Sequence, residues 1–558
     1  MAFQLSPGVN VSEIDLTTII PVVGVSGGAF VGNFVWGPVN DIVTIDNELQ
    51  LADTFGKPDS NTFTSFFTAA NFLTYTNGLK LIRSVGVGAK NATSNGNGVS
   101  IENEIDYKAN YSTGANTYGQ WAAKYPSDLG NSLKVATFAS TNAVAFAAWT
   151  YQNNFDSVPG TSTWASNNGG SNDEIHVVVI DSEGKFSGVR GQVLERYSNL
   201  SKASDAKTED GSSNYYVNVL NDRSKYVWWM SHPATGTNWG AQAANTAFVQ
   251  QTGVDYSLTG GVFASPVDGD LETSYDLFKN SDLIDVSLIM TADHGVNVSK
   301  YVIENISDYR KDCLTFVSPL RTDVVDNMGN EAEDIVTTRN LLTSSSYAVM
   351  DSNWKYQFDK YNNTYRWVPL NGDIAGLCAR TDQQRDPWFS PAGFNRGQIK
   401  NVTRLAWNPD KTDRDTLYKS GVNPVLTFPG EGTVLYGDKT LLSKPSAFDR
   451  INVRRLFIVL EKAISRASKY SLFEFNDQFT RAQFVALVEP YLRDVKGRRG
   501  IFDYRVVCDD TNNTPEIIDR NEFVGDIYIK PARSINFIQL NFVAVRTGVA
   551  FEEIVGQF

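Results

Sequence analysis

The first third of the chain alternates apolar runs with glycine and polar breaks, a pattern typical of strands and helices that share one core. Residues 28–36 (GAFVGNFVW) and 79–85 (LKLIRSV) predict buried strands. Residues 62–76 predict a helix whose buried face holds Phe66, Ala69, Ala70 and Leu73. In residues 1–20, Val9 and Val11 alternate with polar residues, so this segment is predicted to be an extended arm.

The middle of the chain is more polar. Asn, Ser, Gly and Thr crowd residues 91–120, 159–173 and 203–214. Strand-like runs lie between these stretches, at 175–181 (IHVVVID) and 215–221 (YYVNVLN). Long polar loops that join short strands are typical of a surface module. We therefore predict that residues 96–275 form an outward-facing, β-rich insertion.

The second half returns to segments that predict a parallel sheet. Strand-like runs at 282–290 and 313–319 flank a helical pattern at 297–308, which makes a βαβ unit. Residues 442–500 predict helices, and 501–546 return to strands. The predicted fold class is mixed α/β and multidomain. Its parts are an arm at 1–20, a discontinuous α/β core at 21–95 and 276–425, the insertion at 96–275, and a C-terminal α+β domain at 426–558 that ends in a strand arm.

Composition excludes several classes of protein. The 558 residues are 42% hydrophobic and 12% aromatic, which supports folded domains. The net charge of −13 argues against nucleic acid as a direct partner. Cys313, Cys378 and Cys508 are far apart, which favours a reducing compartment over disulfides or a thiolate metal site. Residues 17–40 are uncharged but rich in glycine, so we predict neither membrane insertion nor a signal peptide.

One short motif suggests an enzyme. Residues 24–28 (GVSGG) match the GxSxG elbow of serine hydrolases, with Ser26 as the nucleophile. The elbow needs a helix after the serine, yet a strand-like run follows, and Asp293–His294 is the best of few possible partners. A glycine-rich turn explains the motif better, and a hydrolase remains a remote alternative. Neither clustered metal ligands nor a phosphate-binding loop is visible, so no metal and no cofactor are predicted.

A basic segment stands out in this acidic chain. Residues 441–500 hold twelve Lys and Arg against six Asp and Glu, and Ser446 with Asp449 predicts a helix start. An apolar stripe follows at helical spacing, formed by Leu456, Phe457, Leu460, Ala463, Ile464 and Ala467. The cations opposite the stripe are Arg455, Lys462, Arg466 and Lys469. If the stripe packs into the core, this basic face points outward, as a solvated surface or a site for an acidic partner.

Several segments resemble one known family. They are DKYNNTYRWVPLNGDIAGLCARTD (359–382), SPAGFNRGQI (390–399), VLYGDKT (434–440), FDRINVRRLF (448–457), YRVVCDDTNNTPEIIDRNEFV (504–524) and IKPARSINFIQLNFVA (529–544). Near the start, SPGVNVSEID, FVWGP, TFGKP and NFLTYTNGLKLIRSV belong to the same pattern. These segments resemble the tail sheath proteins of contractile-tailed (myovirus) bacteriophages. The resemblance is thin over 96–275, where some members carry an additional domain that this chain lacks or keeps as a remnant near 96–115.

The resemblance implies a mechanical function without catalysis. Sheath subunits stack as hexameric rings in a helical array around the tail tube, and the array contracts to drive the tube through the host envelope during genome delivery. The implied partners are other copies of the chain, the tail tube protein, and the baseplate and tail terminator proteins. The implied location is the virion, after assembly in the host cytoplasm. A sheath subunit of a related injection machine, a tailocin or secretion system, is the alternative.

The resemblance also implies two kinds of contact. Terminal arms of sheath proteins join the C-terminal sheets of neighbours, which fits chain ends that look like strands without partners. The predicted inter-subunit arm residues are Val9, Val11, Ile14, Phe537, Leu540 and Phe542. The basic face of Arg455, Lys462, Arg466 and Lys469 is predicted to face the tube.

Overall fold

A computed structural model describes residues 27–114, 116–536 and 538–540. The strands within these ranges are β1 (Gly28–Gly32), β2 (Val43–Ile45), β3 (Leu79–Arg83), β4 (Trp121–Ala123), β5 (Leu133–Ala139), β6 (Glu174–Asp181), β7 (Gln192–Ser201), β8 (Val227–Trp229), β9 (Gln251–Ser257), β10 (Leu288–Met290), β11 (Leu314–Val317), β12 (Ala348–Asp351), β13 (Trp354–Asp359), β14 (Thr364–Pro369), β15 (Arg404–Leu405), β16 (Val422–Asn423), β17 (Val425–Phe428), β18 (Gly432–Leu435), β19 (Ile501–Val507) and β20 (Asp526–Pro531).

The α-helices in the same ranges are α1 (Glu48–Phe55), α2 (Phe63–Leu73), α3 (Glu104–Asn110), α4 (Ala143–Ala147), α5 (Thr163–Asn167), α6 (Tyr216–Arg223), α7 (Asp268–Asp276), α8 (Gly295–Val302), α9 (Asp308–Arg310), α10 (Arg321–Val324), α11 (Glu331–Leu341), α12 (Asn371–Gln384), α13 (Lys411–Lys419), α14 (Ile451–Ser468), α15 (Gln478–Gly497) and α16 (Pro515–Asp519). A π turn at Ile303–Ser307 joins α8 to α9.

The core is a seven-stranded sheet with the order β16-β12-β11-β10-β1-β3-β2. All neighbours are parallel except β2, which runs antiparallel to β3 at one edge. Strands from before the insertion pair directly with strands from after it, since Gly28 of β1 lies beside Leu288 of β10. The predicted discontinuous α/β core and its βαβ unit are therefore present.

Helices cover both faces of this sheet, as expected for parallel strands. On one face, α1, α2 and α12 pack against the sheet, with Phe30 and Phe72 fully buried between them. On the other face, α7 and α8 pack against β1 and β10, and α11 and α13 against β12 and β16. Small β13–β15 and β17–β18 sheets flank the core.

The insertion has its own core. Its main sheet is antiparallel, with the order β7-β6-β5-β9, and β4 pairs with β8 in a second, two-stranded sheet. Trp36 from the α/β core packs edge-on against Tyr125 and Phe186 of the insertion. Arg83 is fully buried at this junction and donates to the carbonyls of Phe34, Gly37 and Pro126. The insertion is β-rich, as predicted, and it is anchored to the core.

Two predictions for the middle of the chain were wrong in detail. The run predicted as a strand at 215–221 is helix α6 from Tyr216 onward, and its buried Tyr216, Val217, Val219 and Leu220 have helical spacing. The predicted end of the insertion at 275 falls inside α7. This helix belongs to the α/β core, because Tyr275 is buried there and its hydroxyl donates to the Met290 carbonyl at 2.6 Å. Both α6 and α7 are short helices between polar loops, so their apolar pattern is too brief to predict a helix from the sequence.

The C-terminal part begins later than residue 426, which lies inside strand β17. Val425 and Leu435 of the β17–β18 hairpin pack in the same hydrophobic cluster as Phe30 of the core sheet. Helices α14 and α15 and the β19–β20 sheet follow, with Leu460, Val488 and Ile501 buried between them. The strands predicted for 501–546 do not extend to the end of that range within its described part, since residues 532–536 and 538–540 have no regular structure.

Candidate functional site

The predicted basic helix exists as α14, which begins at Ile451 rather than at Ser446 or Asp449. Ser446 instead caps a short 3-10 turn, because its hydroxyl accepts from the backbone NH of Phe448. The predicted apolar stripe is confirmed by the contacts of Leu456 and Leu460, which are buried against α15. Helix α14 is therefore covered on two sides. Its apolar stripe packs on α15, and the opposite side packs on the α/β core.

The outward orientation predicted for the basic face is wrong for two of its four residues. Arg455 is buried and pairs with Asp382 of α12. Lys462 is 7% exposed, and its Nζ lies 3.0 Å from Asp285 Oδ1. That Nζ also donates to the Val286 carbonyl and to Ser287 Oγ, both at 2.9 Å. Helical periodicity shows which residues share a face, but the carboxylates opposite them come from distant segments.

The other two cations lie at the rim of the same interface. Arg466 is 44% exposed and pairs with Asp285, and Lys469 is 62% exposed and pairs with Asp282. Burial raises the pKa of Asp285, but the charges and hydrogen bonds of Lys462 and Arg466 outweigh burial and hold that pKa below its ordinary value. The face therefore joins α14 to the core within one subunit. Contact with the tube stays a prediction, with Arg466 and Lys469 as its accessible residues.

The β19–β20 sheet has the features of an incomplete sheet. One of its faces packs on α15, where Ile501, Tyr504 and Ile529 contribute to the shared cluster. Phe502 and Tyr528 are exposed to solvent. Within the described part of the chain each strand pairs only with the other, so an outer edge of each lacks a strand partner. A two-stranded sheet is marginal alone, and such edges readily accept another strand.

Leu540 is the only predicted arm residue among those that the structure describes, and it is 71% exposed. Ile535 and Ile538, which precede it, are also exposed. Val9, Val11, Ile14, Phe537 and Phe542 lie outside the described residues. An exposed apolar segment next to open sheet edges has the composition expected of a strand that pairs with another chain.

Comparison with known proteins gives the family. Residues 289–441 match the phage tail sheath protein central domain, and 443–544 match the phage tail sheath C-terminal domain. The tail sheath protein of Enterobacteria phage T4 is 36% identical, over 99% of this chain and 99% of that protein. The tail sheath protein of Vibrio phage KVP40 is 35% identical, over 99% of this chain and 100% of that protein. The chain belongs to the phage tail sheath protein family.

The sheath fold is also found by structural comparison. The crystal structure of a sheath tail protein from Listeria innocua matches with a TM-score of 0.53 at 12% identity, over 90% of this chain and 94% of that one. The alignment with the KVP40 sheath protein spans 678 positions, more than the 558 residues of this sheath protein, so that relative carries segments that are missing here.

The hydrolase alternative loses its structural basis. Ser26 lies outside the described residues, but strand β1 begins at Gly28, where a nucleophile elbow needs a helix. His294 stacks on Phe30 at a ring distance of 5.9 Å. Among the described residues, no group of three or more His, Cys, Asp or Glu is placed to hold a metal ion. None of the helices in those ranges is long and apolar enough to cross a membrane.

Two features of the sheath protein are not predicted from its sequence. Two of the acidic partners of α14, Asp282 and Asp285, lie in the DLID segment at 282–285, whose charges interrupt an otherwise apolar run. The turn between α14 and α15, with the first turn of α15, exposes five large apolar side chains, namely Tyr470, Leu472, Phe473, Phe475 and Phe479. The unusual density of aromatic residues in YSLFEFNDQF (470–479) was the available signal.

Proposed function

We propose that this sheath protein polymerises as stacked hexameric rings around the tail tube of a phage. The polymer contracts and drives the tube through the host cell envelope during genome delivery. The open β19–β20 sheet carries this proposal, because each of its strands has an outer edge that lacks a strand partner within the described residues. The protein acts without catalysis or cofactor, in the virion, after assembly in the host cytoplasm. Its partners are its own copies and the tail tube, baseplate and tail terminator proteins.

Strand addition suits a polymer that must rearrange without coming apart. A strand donated by a neighbour forms main-chain hydrogen bonds along its whole length, which links subunits firmly. The residues between that strand and its own subunit can bend, so the bodies of two subunits can reorient while the strand stays paired. In this arrangement the terminal arms at 1–20 and beyond residue 536 are the donated strands.

We also propose that the tube is contacted by the rim of the α14 interface, through Arg466 and Lys469. Exposed ion pairs contribute only about 0–1 kcal/mol each and are screened by salt. Many such contacts hold an array in register and still release together. The relatives at 35% and 36% identity come from phages, which favours a phage sheath over a related injection machine.

Removal of the N-terminal arm tests the proposal. A chain that lacks residues 1–20 should remain a folded, soluble monomer but form no long sheaths, measured by circular dichroism and negative-stain electron microscopy. The full-length variant Val9→Ser, Val11→Ser, Ile14→Ser should show the same defect, because it removes the apolar side chains and keeps the length. Sheaths of normal length from both proteins would rule out a linking role for this arm.

A further inference from the structure

Five donors converge on one buried carboxylate at the boundary between the two sheath domains. Asp438, which follows β18, is 3% exposed. Its Oδ1 accepts from Tyr418 Oη at 3.3 Å and Arg450 Nη1 at 3.1 Å. Its Oδ2 accepts from Ser390 Oγ at 3.1 Å. The remaining donors belong to the C-terminal tail, where Ser534 Oγ donates to Oδ2 at 2.6 Å and Asn536 Nδ2 donates to Oδ1 at 3.3 Å.

The donors come from segments far apart in the sequence. Ser390 follows α12, Tyr418 lies in α13, and Arg450 directly precedes α14. With Asp438 and the tail, four of the segments that carry the family resemblance meet here: SPAGFNRGQI, VLYGDKT, FDRINVRRLF and IKPARSINFIQLNFVA. Asp438 therefore connects the central domain, the first helix of the C-terminal domain and the tail.

The tail lies along the subunit with one side attached. Ala532 NH donates to the Gly500 carbonyl at 3.1 Å, and Asn452 Nδ2 donates to the Ala532 carbonyl at 3.4 Å. Every second residue after that, Ser534 and Asn536, reaches Asp438. Ile535, between them, faces solvent, as do Ile538 and Leu540 beyond. The tail is thus bonded to Asp438 through Ser534 and Asn536, while the apolar side chains of this stretch face away.

We propose that Asp438 is the anchor of the C-terminal arm, a positioning residue that sets where the arm leaves the subunit and passes load from the arm into both domains. This inference rests on the proposed function, in which the arm links one subunit to another. A carboxylate offers about four lone-pair directions, and five donors occupy them. Asn at this position replaces one acceptor by a donor that faces other donors, so Asp438→Asn should release the tail.

Cleavage by trypsin after the exposed Arg533 measures attachment of the tail in the full-length monomer, isolated by size exclusion. We expect Asp438→Asn and the double variant Ser534→Ala, Asn536→Ala to be cleaved there at least ~5-fold faster than wild type, since cleavage needs local release of the chain. Cleavage rates of the same proteins unfolded in urea show how much each substitution changes cleavage of the bond itself, and the native rates are divided by them. The matched control is Asp449→Asn, which loses a pair with Arg450 at 3.5 Å and makes no hydrogen bond or ion pair with the described residues of the tail. Its rate should stay within ~2-fold of wild type.

Polymer yield, measured by sedimentation, separates the two proposals. Both anchor variants should form fewer polymers than wild type. Unchanged cleavage in the double variant would overturn the proposal that Asp438 anchors the arm, and this test holds even if Asp438→Asn fails to fold. Faster cleavage with undiminished polymer yield would overturn it as well. A chain that ends at Arg533 should not polymerise. If it does, the arm is not a linker and the proposed function fails, whatever the cleavage rates are.

Discussion

At the residue scale, charge is buried where the two sheath domains meet. Lys462 of α14 pairs with Asp285 and also donates hydrogen bonds to the Val286 carbonyl and the Ser287 hydroxyl. A buried pair adds little stability over an apolar equivalent, but removal of one partner leaves the other charge uncompensated. These residues therefore hold α14 in one orientation on the core.

Lys462→Met should lower the free energy of unfolding by about 2 kcal/mol, because it leaves the buried Val286 carbonyl and Ser287 hydroxyl without their donor. Lys469→Met, the control on the same face, breaks an exposed pair with Asp282 and should change it by less than about 1 kcal/mol. Urea unfolding of both variants checks this. Equal effects would mean that α14 does not bury Lys462. The double variant Lys462→Glu, Arg466→Glu should destabilise the fold as well, because it places two more carboxylates beside Asp285.

Asp351 gives the core a pH dependence. Burial raises its pKa to about 7, against the opposing hydrogen bonds from Ser318 Oγ and Asn353 NH. The folded state therefore holds this proton more tightly than the unfolded chain, and its contribution to stability is lost as pH rises from about 4 to about 7. Asp351→Asn lacks this loss, so its stability minus that of wild type should be larger at pH 8 than at pH 5. Thermal midpoints across that range test it, and a constant difference between the two proteins would contradict it.

At the element scale, the insertion leaves and re-enters the core at adjacent points. The Gly86 NH donates to the Ala264 carbonyl at 2.9 Å, so a short link can replace everything between them. The predicted limits of 96 and 275 missed this junction because α7 lies in a polar stretch, as α6 does. Strands and helices with long apolar runs, such as β6 and α2, were predictable from sequence, whereas short amphipathic helices between polar loops were not.

A chain in which three glycines replace residues 87–264 should fold, if Trp36→Gln removes the indole that the insertion covers. The comparison is a chain that joins residue 95 to 276, which removes α7 and with it the buried Tyr275. That second chain should fail to fold, because the cost of such a loss far exceeds that of one core side chain. Circular dichroism and size exclusion distinguish the two. Equal folding of both would place α7 outside the core.

The C-terminal arm should act through its exposed apolar side chains. Ile535→Ser, Ile538→Ser, Leu540→Ser should leave the free energy of unfolding of the monomer within about 0.5 kcal/mol, since surface substitutions cost little. The same variant should sharply reduce polymer yield in sedimentation. Val144→Ser, an equally exposed position in the insertion, serves as the control and should polymerise normally. Normal yield from the triple variant would exclude these side chains from the interface.

At the scale of the whole molecule, the sequence predicted the class of fold and the resemblance predicted the family, because both depend on long apolar runs and extended motifs. The parallel core, split by the insertion, followed from the runs at 28–36, 79–85 and 313–319. The site was predicted less well. Arg455 and Lys462 were placed outward because their partners, Asp382 and Asp285, lie far away in sequence. Asp438 was hidden for the same reason.

The central claim is that subunits are linked by strands added to the β19–β20 sheet. The most direct test is a cryo-electron microscopy map of the polymer at a resolution that separates strands. We predict that at least one terminal segment of a neighbouring subunit pairs with β19 or β20 in every copy. A polymer in which this sheet remains two-stranded, with the terminal segments elsewhere, would contradict the account.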